Sequence, residues 1–360
     1  MPTAIASPLA LLAAVHPALA GLPHRPLGRF PTRVERLGGL IEEPAAGRVD
    51  LWVKRDDETG ALYGGNKVRK LEFILGEAEE RGRTRLCTVG GVGSHHVLAT
   101  AIYARAAGLP LDAVVAPQPV TAHVLEVLRA MVAAGARLHP VSSWPQVVPM
   151  LAVLRARRGS YLVAPGGSSP TGSLGYVAAG LELAAQVAAG ECPAPDLIYA
   201  ALGSCGTVAG LLVGLRLGGL ATRVVAVRVV DAIVCNLGGT LRLARRTARL
   251  LRRRGAVVPD ITAADVELEH GFFGGGYGTV TAVAEEAVAR AVGGGLLLET
   301  TYTGKTAAAL RAHATRGDLD GRTVLLLDTF SSVDLAPLLA DPRPEGPLPA
   351  RIAALLAAAP

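Results

Sequence analysis

The sequence predicts an α/β protein: two open, twisted parallel-sheet domains with helices on both faces. Three observations carry that prediction. Short, fully apolar runs alternate with longer helical stretches along the chain, the pattern of a mostly parallel sheet buried on both faces. Gly and Ala are abundant and aromatics make up only 4%, which suits close helix–sheet packing better than a β-sandwich. Three glycine-bearing loops stand where an apolar run gives way to a helix. With 360 residues, half of them hydrophobic, the chain can build one large or two modest cores.

The strand-like runs are Leu51–Val53, Leu86–Val89, Asp112–Val115, Leu197–Ala201, Val224–Val229 and Val324–Leu327, with a further β-like run at Leu296–Thr301. Helical stretches fall between them at Val68–Arg81, Val97–Ala107, Thr121–Ala134, Gly175–Ala188 and Val208–Leu217. The Ala/Leu-rich start, Pro8 to Ala20, reads as an amphipathic helix packed on the body. It lacks a preceding Lys or Arg, and His16-Pro17 interrupts it, so it is not read as a signal peptide. The Pro-rich segment Asp341–Pro349 is expected to wrap the surface, followed by a short helix over Ala350–Ala358. No repeat and no low-complexity linker divides the chain.

Composition also excludes function classes. No unbroken apolar stretch of about 18 residues is present, so no membrane span is expected. The net charge is +6, with arginine concentrated over Arg242–Arg254. That stretch has an apolar and a basic face at helical spacing but no interleaved aromatics, so it reads as a solvated helix face and no nucleic-acid partner is expected. The four cysteines, Cys87, Cys192, Cys205 and Cys235, form no CxxC pair and no cluster with histidine. They read as reduced, mostly buried thiols of a cytoplasmic protein, and no metal is expected.

The candidate chemistry begins at Lys67. Only four lysines occur, Lys54, Lys67, Lys70 and Lys305, and Lys67 alone follows a Gly-Gly turn at the start of a helix, in Gly64-Gly65-Asn66-Lys67. A desolvated amine there has a lowered pKa and can form a Schiff base with a carbonyl. The loop Gly203-Ser204-Cys205-Gly206-Thr207 joins an apolar run to a helix, and its backbone N–H groups and hydroxyls suit an anion such as a phosphate monoester. It is neither a Walker loop nor GxGxxG, and a plain tight turn is an equal reading of these residues alone. In Gly93-Ser94-His95-His96, Ser94 can cap a helix and donate to a carboxylate. Adjacent helical histidines point about 100° apart, which disfavours a shared metal. A third loop is Pro165-Gly166-Gly167-Ser168-Ser169. Tyr302, in Tyr302-Thr303-Gly304-Lys305, is an acid/base candidate or a structural tyrosine. Tyr277 lies in the glycine loop Gly274–Gly278.

Taken together, Lys54-Arg55-Asp56-Asp57, then Gly64-Gly65-Asn66-Lys67-Val68-Arg69-Lys70-Leu71-Glu72, the Ser94 loop, the 203–207 loop and Tyr302-Thr303-Gly304-Lys305 resemble one family in content and order. It is the pyridoxal phosphate (PLP)-dependent family of 1-aminocyclopropane-1-carboxylate (ACC) deaminase and D-cysteine desulfhydrase, with the tryptophan-synthase-β-like fold (fold type II). The resemblance is collinear from about Pro31-Thr32 to Asp328-Thr329. It implies PLP as cofactor, Lys67 as Schiff-base lysine and Cα acid/base, and Gly203, Ser204, Cys205, Gly206 and Thr207 as the phosphate cup. It implies Ser94, His95, His96, Tyr277 and Tyr302 around the substrate. It places Thr303 near the pyridine nitrogen, His95 near the ring hydroxyl and Thr329 in the cofactor site. Asn66 is expected to help set the Lys67 turn.

The same resemblance implies a large PLP-binding domain from residues 1–70 and 174–360, a small inserted domain from 71–173, and a homodimer. Three places depart from the family pattern. His95 stands where Asn is usual, Leu98 replaces a common arginine, and Asp328-Thr329-Phe330-Ser331-Ser332 replaces His-Thr-Gly-Gly. A neutral Thr303 leaves a weaker electron sink than a carboxylate, which favours β-elimination over cyclopropane opening. The expected function is therefore a D-cysteine desulfhydrase-like lyase taking a small amino acid to a 2-oxo acid and ammonia. The alternatives are an ACC deaminase, a β-replacement synthase or a racemase of the same fold. From other classes come a non-catalytic PLP-binding protein and, more distantly, an Arg-rich nucleic-acid binder.

Overall fold

The computed structural model describes residues 7–344 and 346–357. Ten strands follow one another as β1 (Val34–Arg36), β2 (Asp50–Arg55), β3 (Arg85–Gly91), β4 (Leu111–Ala116), β5 (Arg137–Pro140), β6 (Ser160–Leu162), β7 (Leu197–Leu202), β8 (Arg223–Arg228), β9 (Val266–Glu269) and β10 (Thr323–Asp328). The helices are α1 (Pro8–Val15), α2 (Asn66–Glu80), α3 (His95–Ala106), α4 (Ala122–Ala133), α5 (Val147–Ala156), α6 (Pro170–Ala188), α7 (Gly206–Leu217), α8 (Leu237–Arg252), α9 (Ala282–Gly293), α10 (Thr303–Thr315), α11 (Ala336–Ala340) and α12 (Ala350–Ala357).

The chain separates into two units. The first holds the N-terminal segment through Leu22, Gly28–Lys70 and Ser168–Ser332. Its sheet runs β1-β2-β10-β7-β8-β9, parallel except for β1 against β2. β10 is central and pairs with β2 on one side and β7 on the other, Leu325 lying opposite both Trp52 and Ile198. The core beneath it gathers Val53, Tyr199, Val225, Val227, Leu310 and Leu326. Burying each large aliphatic side chain contributes roughly 1.5–3 kcal/mol. The carboxyl ends of β2, β10, β7 and β8 share one edge, where ligands of open α/β sheets sit.

The second unit holds Pro23–Leu27, Leu71–Gly167 and the segment from Val333 onward. Its parallel sheet runs β5-β4-β3-β6. β4 is buried along its whole length, and Val89, Val114, Leu154 and neighbours form its core.

Local signals explain most helix starts. Ser94, Thr121, Ser169 and Asn236 each accept a backbone N–H as N-cap of α3, α4, α6 and α8. Pro170 stands at the first position of α6, where a missing N–H does no harm.

Four expectations are corrected. The start is not one helix through Ala20, because α1 ends at Val15 and a 3-10 turn, Pro17–Gly21, follows the extended His16. Leu296–Thr301 is not a strand; the Thr301 N–H turns back onto the Glu299 carboxylate and the Glu299 N–H onto the Thr303 hydroxyl. The boundary of the inserted unit falls at Gly167/Ser168 rather than 173/174. The C-terminal segment clusters with the second unit, since Arg343 N–H donates to the Ala133 carbonyl and Arg351 donates to that of Val141. The final helix is described to Ala357; Ala358 lies outside the described residues. In the arginine-rich stretch, α8 buries Leu241, Ala244, Ala248 and Leu251 and leaves Arg242, Arg245, Arg246 and Arg249 exposed.

Two packing features of the first unit set the position of the candidate site. Arg69, with no solvent exposure, donates to both carboxylate oxygens of Asp56 and of Glu182 at 2.7–2.9 Å. Lys54 Nζ also reaches Glu182 at 2.7 Å, and Tyr176 Oη donates to Asp56 at 2.7 Å. This closed ion network anchors the first turn of α2. The second feature is helix α6 lying against α7 through glycine. A Cβ on Gly180 would sit 2.6 Å from Gly214 C, and one on Gly210 or Gly214 would strike the Ser173 or Val177 carbonyl of α6.

Candidate active site

The turn before α2 is pinned by the loop after β10. Asn66 N–H donates to the Thr329 carbonyl at 3.2 Å, and Gly64 N–H to Ser331 Oγ at 2.8 Å. Gly65 has φ +84, and a Cβ there would lie 2.6 Å from the Thr329 carbonyl oxygen, so only glycine fits. Lys67 is thereby held partly buried. Its Nζ donates to Asn66 Oδ1 at 2.6 Å, and Asn66 Nδ2 donates to Thr207 Oγ1 at 3.1 Å. Desolvation pulls the Lys67 amine down to about 8, opposed by the nearby Glu299 carboxylate.

Thr207 belongs to the loop after β7. Cys205 takes a left-handed conformation, φ 68, as N-cap of α7, and no side chain caps that helix. Ser168 Oγ donates to Ser204 Oγ at 2.8 Å and accepts Gly206 N–H at 3.0 Å. Hydroxyls of Ser204, Thr207 and Ser168 therefore surround an uncapped, twelve-residue helix start. A Cβ on Gly206 would meet Ser168 Oγ at 2.5 Å. This neutral-to-positive donor set fits the phosphate monoester of PLP, and the connected amine of Lys67 fits its aldehyde.

The tyrosines come together beside this loop. Tyr302 Oη donates to Tyr277 Oη at 3.0 Å, with the rings edge-on at 71°. A Cβ on Gly203 would lie 3.0 Å from the Tyr302 ring. Burial pushes both phenols above their ordinary range, Tyr302 further because the neighbouring Tyr277 raises it while the bond from Tyr302 lowers Tyr277. Thr303 opens α10 and is buried. Its Oγ1 accepts Glu299 N–H at 3.0 Å and its N–H donates to Glu299 Oε1 at 2.9 Å. Glu299 also accepts Thr301 N–H and Tyr302 N–H, each at 2.7 Å.

In the second unit, Ser94 caps α3, its Oγ accepting Val97 N–H at 3.4 Å. His95 Nε2 lies 3.0 Å from His123 Nε2 with the rings stacked. His96 is buried, with Nε2 bonded to Thr88 Oγ1 at 2.9 Å. Because Thr88 already donates to the Val163 carbonyl, His96 is the donor in that bond.

Thus Lys67, Gly203–Thr207, Tyr277, Tyr302, Thr303 and Thr329 all lie in the first unit, joined by the contacts above. Ser94, His95 and His96 lie in the second. The sequence reading missed four residues. Ser168 and Ser331 bond to the cup and to the lysine turn, Glu299 caps α10, and Cys235 places its Sγ 2.7 Å from Cys205 Sγ. Only Ser168 had a visible signal, its place in a glycine loop. Among the described residues no group of acidic, His or Cys side chains is arranged to hold a metal, and no helix is long and apolar enough to cross a membrane.

Comparison with known proteins bears on the family of the whole chain. A family model described as "Pyridoxal-phosphate dependent enzyme" matches residues 26–329. Nocardicin C-9' epimerase of Nocardia uniformis subsp. tsuyamanensis is 41% identical over 241 residues, 65% of this chain and 71% of that one. A putative 1-aminocyclopropane-1-carboxylate deaminase of Pyrococcus abyssi is 35% identical over 333 residues, 88% of this chain and 94% of its own. A D-cysteine desulfhydrase of Salmonella choleraesuis is 30% identical over 309 residues, 80% and 90% of the two chains. The crystal structure of an ACC deaminase homologue superposes with a TM-score of 0.74 at 28% identity, covering 91% of this chain and 98% of its own.

Proposed function

Because this chain belongs to the pyridoxal-phosphate-dependent enzyme family, we propose that it is a D-cysteine desulfhydrase-like lyase of fold type II. It takes a Cα proton from a small amino acid, expels a β substituent and, with one water, releases a 2-oxo acid and ammonia. The observation that carries the reading is the connected path Lys67–Asn66–Thr207, which joins a desolvated amine to the uncapped start of α7.

In this reading the α7 start, with Ser204, Thr207 and Ser168, holds the phosphate. Bound PLP supplies the electron sink that stabilises charge at Cα. Lys67 Nζ, neutral in a substantial fraction near pH 8, accepts the Cα proton. The paired phenols of Tyr302 and Tyr277 stay protonated and orient the substrate. By family resemblance Ser94 and His95 are assigned to the substrate carboxylate and the cofactor ring, and the bond from His96 to Thr88 fixes their turn. By family resemblance Thr303 would offer the ring nitrogen a neutral hydroxyl rather than a carboxylate, which supports β-elimination over ring opening. Thr329 closes the site with its backbone carbonyl on Asn66. The larger unit is the PLP-binding domain. A cytoplasmic location is supported by four free cysteines, and a homodimer by family resemblance alone.

Release of a 2-oxo acid, pyruvate from D-cysteine, L-cysteine or β-chloroalanine and 2-oxobutanoate from ACC, is the test, alongside the visible spectrum of the purified protein. We expect pyruvate from D-cysteine and loss of both the visible band and turnover in Lys67→Ala. A visible band with no 2-oxo acid from any of the four would overturn the lyase reading. A second reading, epimerisation, is favoured by the relative at 41% identity named as an epimerase. It shares the first proton removal but returns a proton to the other face of Cα. Solvent deuterium appearing at Cα without pyruvate would select it.

A further inference from the structure

Cys205 and Cys235 stand apart from the other thiols of this chain. Their sulfurs lie 2.7 Å apart, whereas Cys87 and Cys192 are buried in separate places, Cys87 in the core of the second unit. Cys205 is the left-handed N-cap of α7 within the phosphate cup. Cys235 directly precedes Asn236, the N-cap of α8. The Cys205 sulfur therefore faces the start of a second helix, 4.0 Å from the site of a Cβ on Gly239.

We propose that Cys205 and Cys235 form an oxidation site for hydrogen peroxide, closing to an intramolecular disulfide when the phosphate cup is empty and shielded when it holds a phosphate ester.

Four groups favour a thiolate at Cys205. The bond from Cys235 lowers it most, the Thr240 hydroxyl and the Asn236 backbone assist, and the buried Lys70 side chain lies near; against the opposing effect of burial they bring Cys205 down to about 7. Cys235 is pushed up, chiefly by its bond to Cys205, and stays a thiol. One thiolate beside one thiol is the arrangement that stepwise oxidation needs. The Cys205 thiolate attacks peroxide, its S–O bond forming as the O–O bond breaks, to give a sulfenic acid and, with one proton, water. The Cys235 thiol, losing its proton, then attacks the sulfenic sulfur and expels a second water. Two thiols and one peroxide thus become one disulfide and two waters. Closing the sulfurs from 2.7 Å to a bond of about 2.0 Å needs less than an ångström of movement.

Cys205 keeps 8% exposure, and the Asp231–Val234 segment leading to the buried Cys235 is exposed, Ile233 at 95%. A phosphate ester in the cup would cover Cys205 sterically. Its negative charge also disfavours a thiolate in the same loop, so occupancy slows the first step by both routes.

The shielding part rests on the cup reading of the proposed function, and the test separates the two. Purified protein, as isolated and after removal of cofactor by hydroxylamine and dialysis, is treated with peroxide. Disulfide is followed by mass spectrometry of non-reduced digests, with free thiols alkylated. The expected result is a Cys205–Cys235 cross-link in the stripped protein, with Cys87 and Cys192 still alkylated, and a rate at least tenfold lower after PLP is restored. Cys235→Ser should leave a sulfenic acid at Cys205 that dimedone traps and no cross-link. Absence of the cross-link in stripped wild-type protein overturns the oxidation site. An equal rate with PLP verified as bound overturns the shielding. A protein that never binds PLP but still cross-links overturns the cup reading and leaves the oxidation site standing.

Discussion

Glu299→Gln tests the electrostatic design of the site at a residue outside the lysine turn and the cup. The carboxylate of Glu299 is 8% exposed. It accepts three backbone N–H groups at the start of α10: Oε2 takes Thr301 at 2.7 Å, and Oε1 takes Tyr302 at 2.7 Å and Thr303 at 2.9 Å. These are groups a helix start otherwise leaves unsatisfied. Glutamine keeps one acceptor oxygen and turns an NH2 toward the Thr301 N–H. One charged hydrogen bond is lost and two become neutral. At about 1.5–3 kcal/mol for a charged bond and about 1 for a neutral one, the loss is about 2.5–7 kcal/mol. The same change removes the carboxylate that raises the Lys67 amine toward 8, so Lys67 should titrate lower still. Base-dependent turnover, which grows as the amine loses its proton, should then reach its plateau at lower pH. Stability is read from urea unfolding. The lysine is read by 13C reductive methylation and NMR of cofactor-free protein, where only four lysines contribute. A variant within about 1 kcal/mol of wild type, or a Lys67 resonance titrating at or above the wild-type pH, refutes this account.

Three further outcomes are expected. Arg69→Met strips the cation shared by Asp56 and Glu182 and leaves buried carboxylates short of a partner. It should cost about 3–5 kcal/mol in urea unfolding; a loss under about 1 kcal/mol would show the network to be dispensable. Gly206→Ala drives a methyl into Ser168 Oγ and should weaken PLP about 10–100-fold, roughly 1.4–2.7 kcal/mol, in a spectral titration. Unchanged affinity would remove Ser168 from the cup. Asp328 is fully buried beside Asp57, and burial raises it well above the usual carboxylate range. A raised folded value leaves stability intact below the unfolded pKa and drains it as pH rises through the folded one. Asp328→Asn should therefore raise Tm at alkaline pH, with the gain fading as pH falls into the ordinary carboxylate range. A gain independent of pH would contradict that origin.

Much of the fold was legible because it is local. Apolar runs bounded by glycine mark β3, β4, β7, β8 and β10, and the Gly64-Gly65 turn marks the start of α2. Ser94, read as a helix cap from its place before the two histidines, caps α3. What escaped depends on distance in the chain. Ser331 meets Gly64 across 267 residues and Ser168 meets Ser204 across 36, and no window of sequence holds both partners. Leu296–Thr301 misled for a different reason. Its leucines imitate a strand, while the feature that decides the backbone is a carboxylate folding back on its own chain. The two histidines beside Ser94 looked alike in sequence. They separate only in three dimensions, one stacked on His123 and the other bonded into the sheet at Thr88.

The glycine seam between α6 and α7 has a consequence for how this protein tolerates change. Main chain rests on main chain there, with no side chain able to yield. A bulkier residue at Gly180 or Gly214 would translate α7 as a rigid rod, and the displacement would emerge at its amino end, where the phosphate is proposed to sit. Variants remote from any ligand should therefore behave as cofactor-retention defects, and because the Tyr302 ring packs against Gly203 the same displacement would be felt by the tyrosine pair as well.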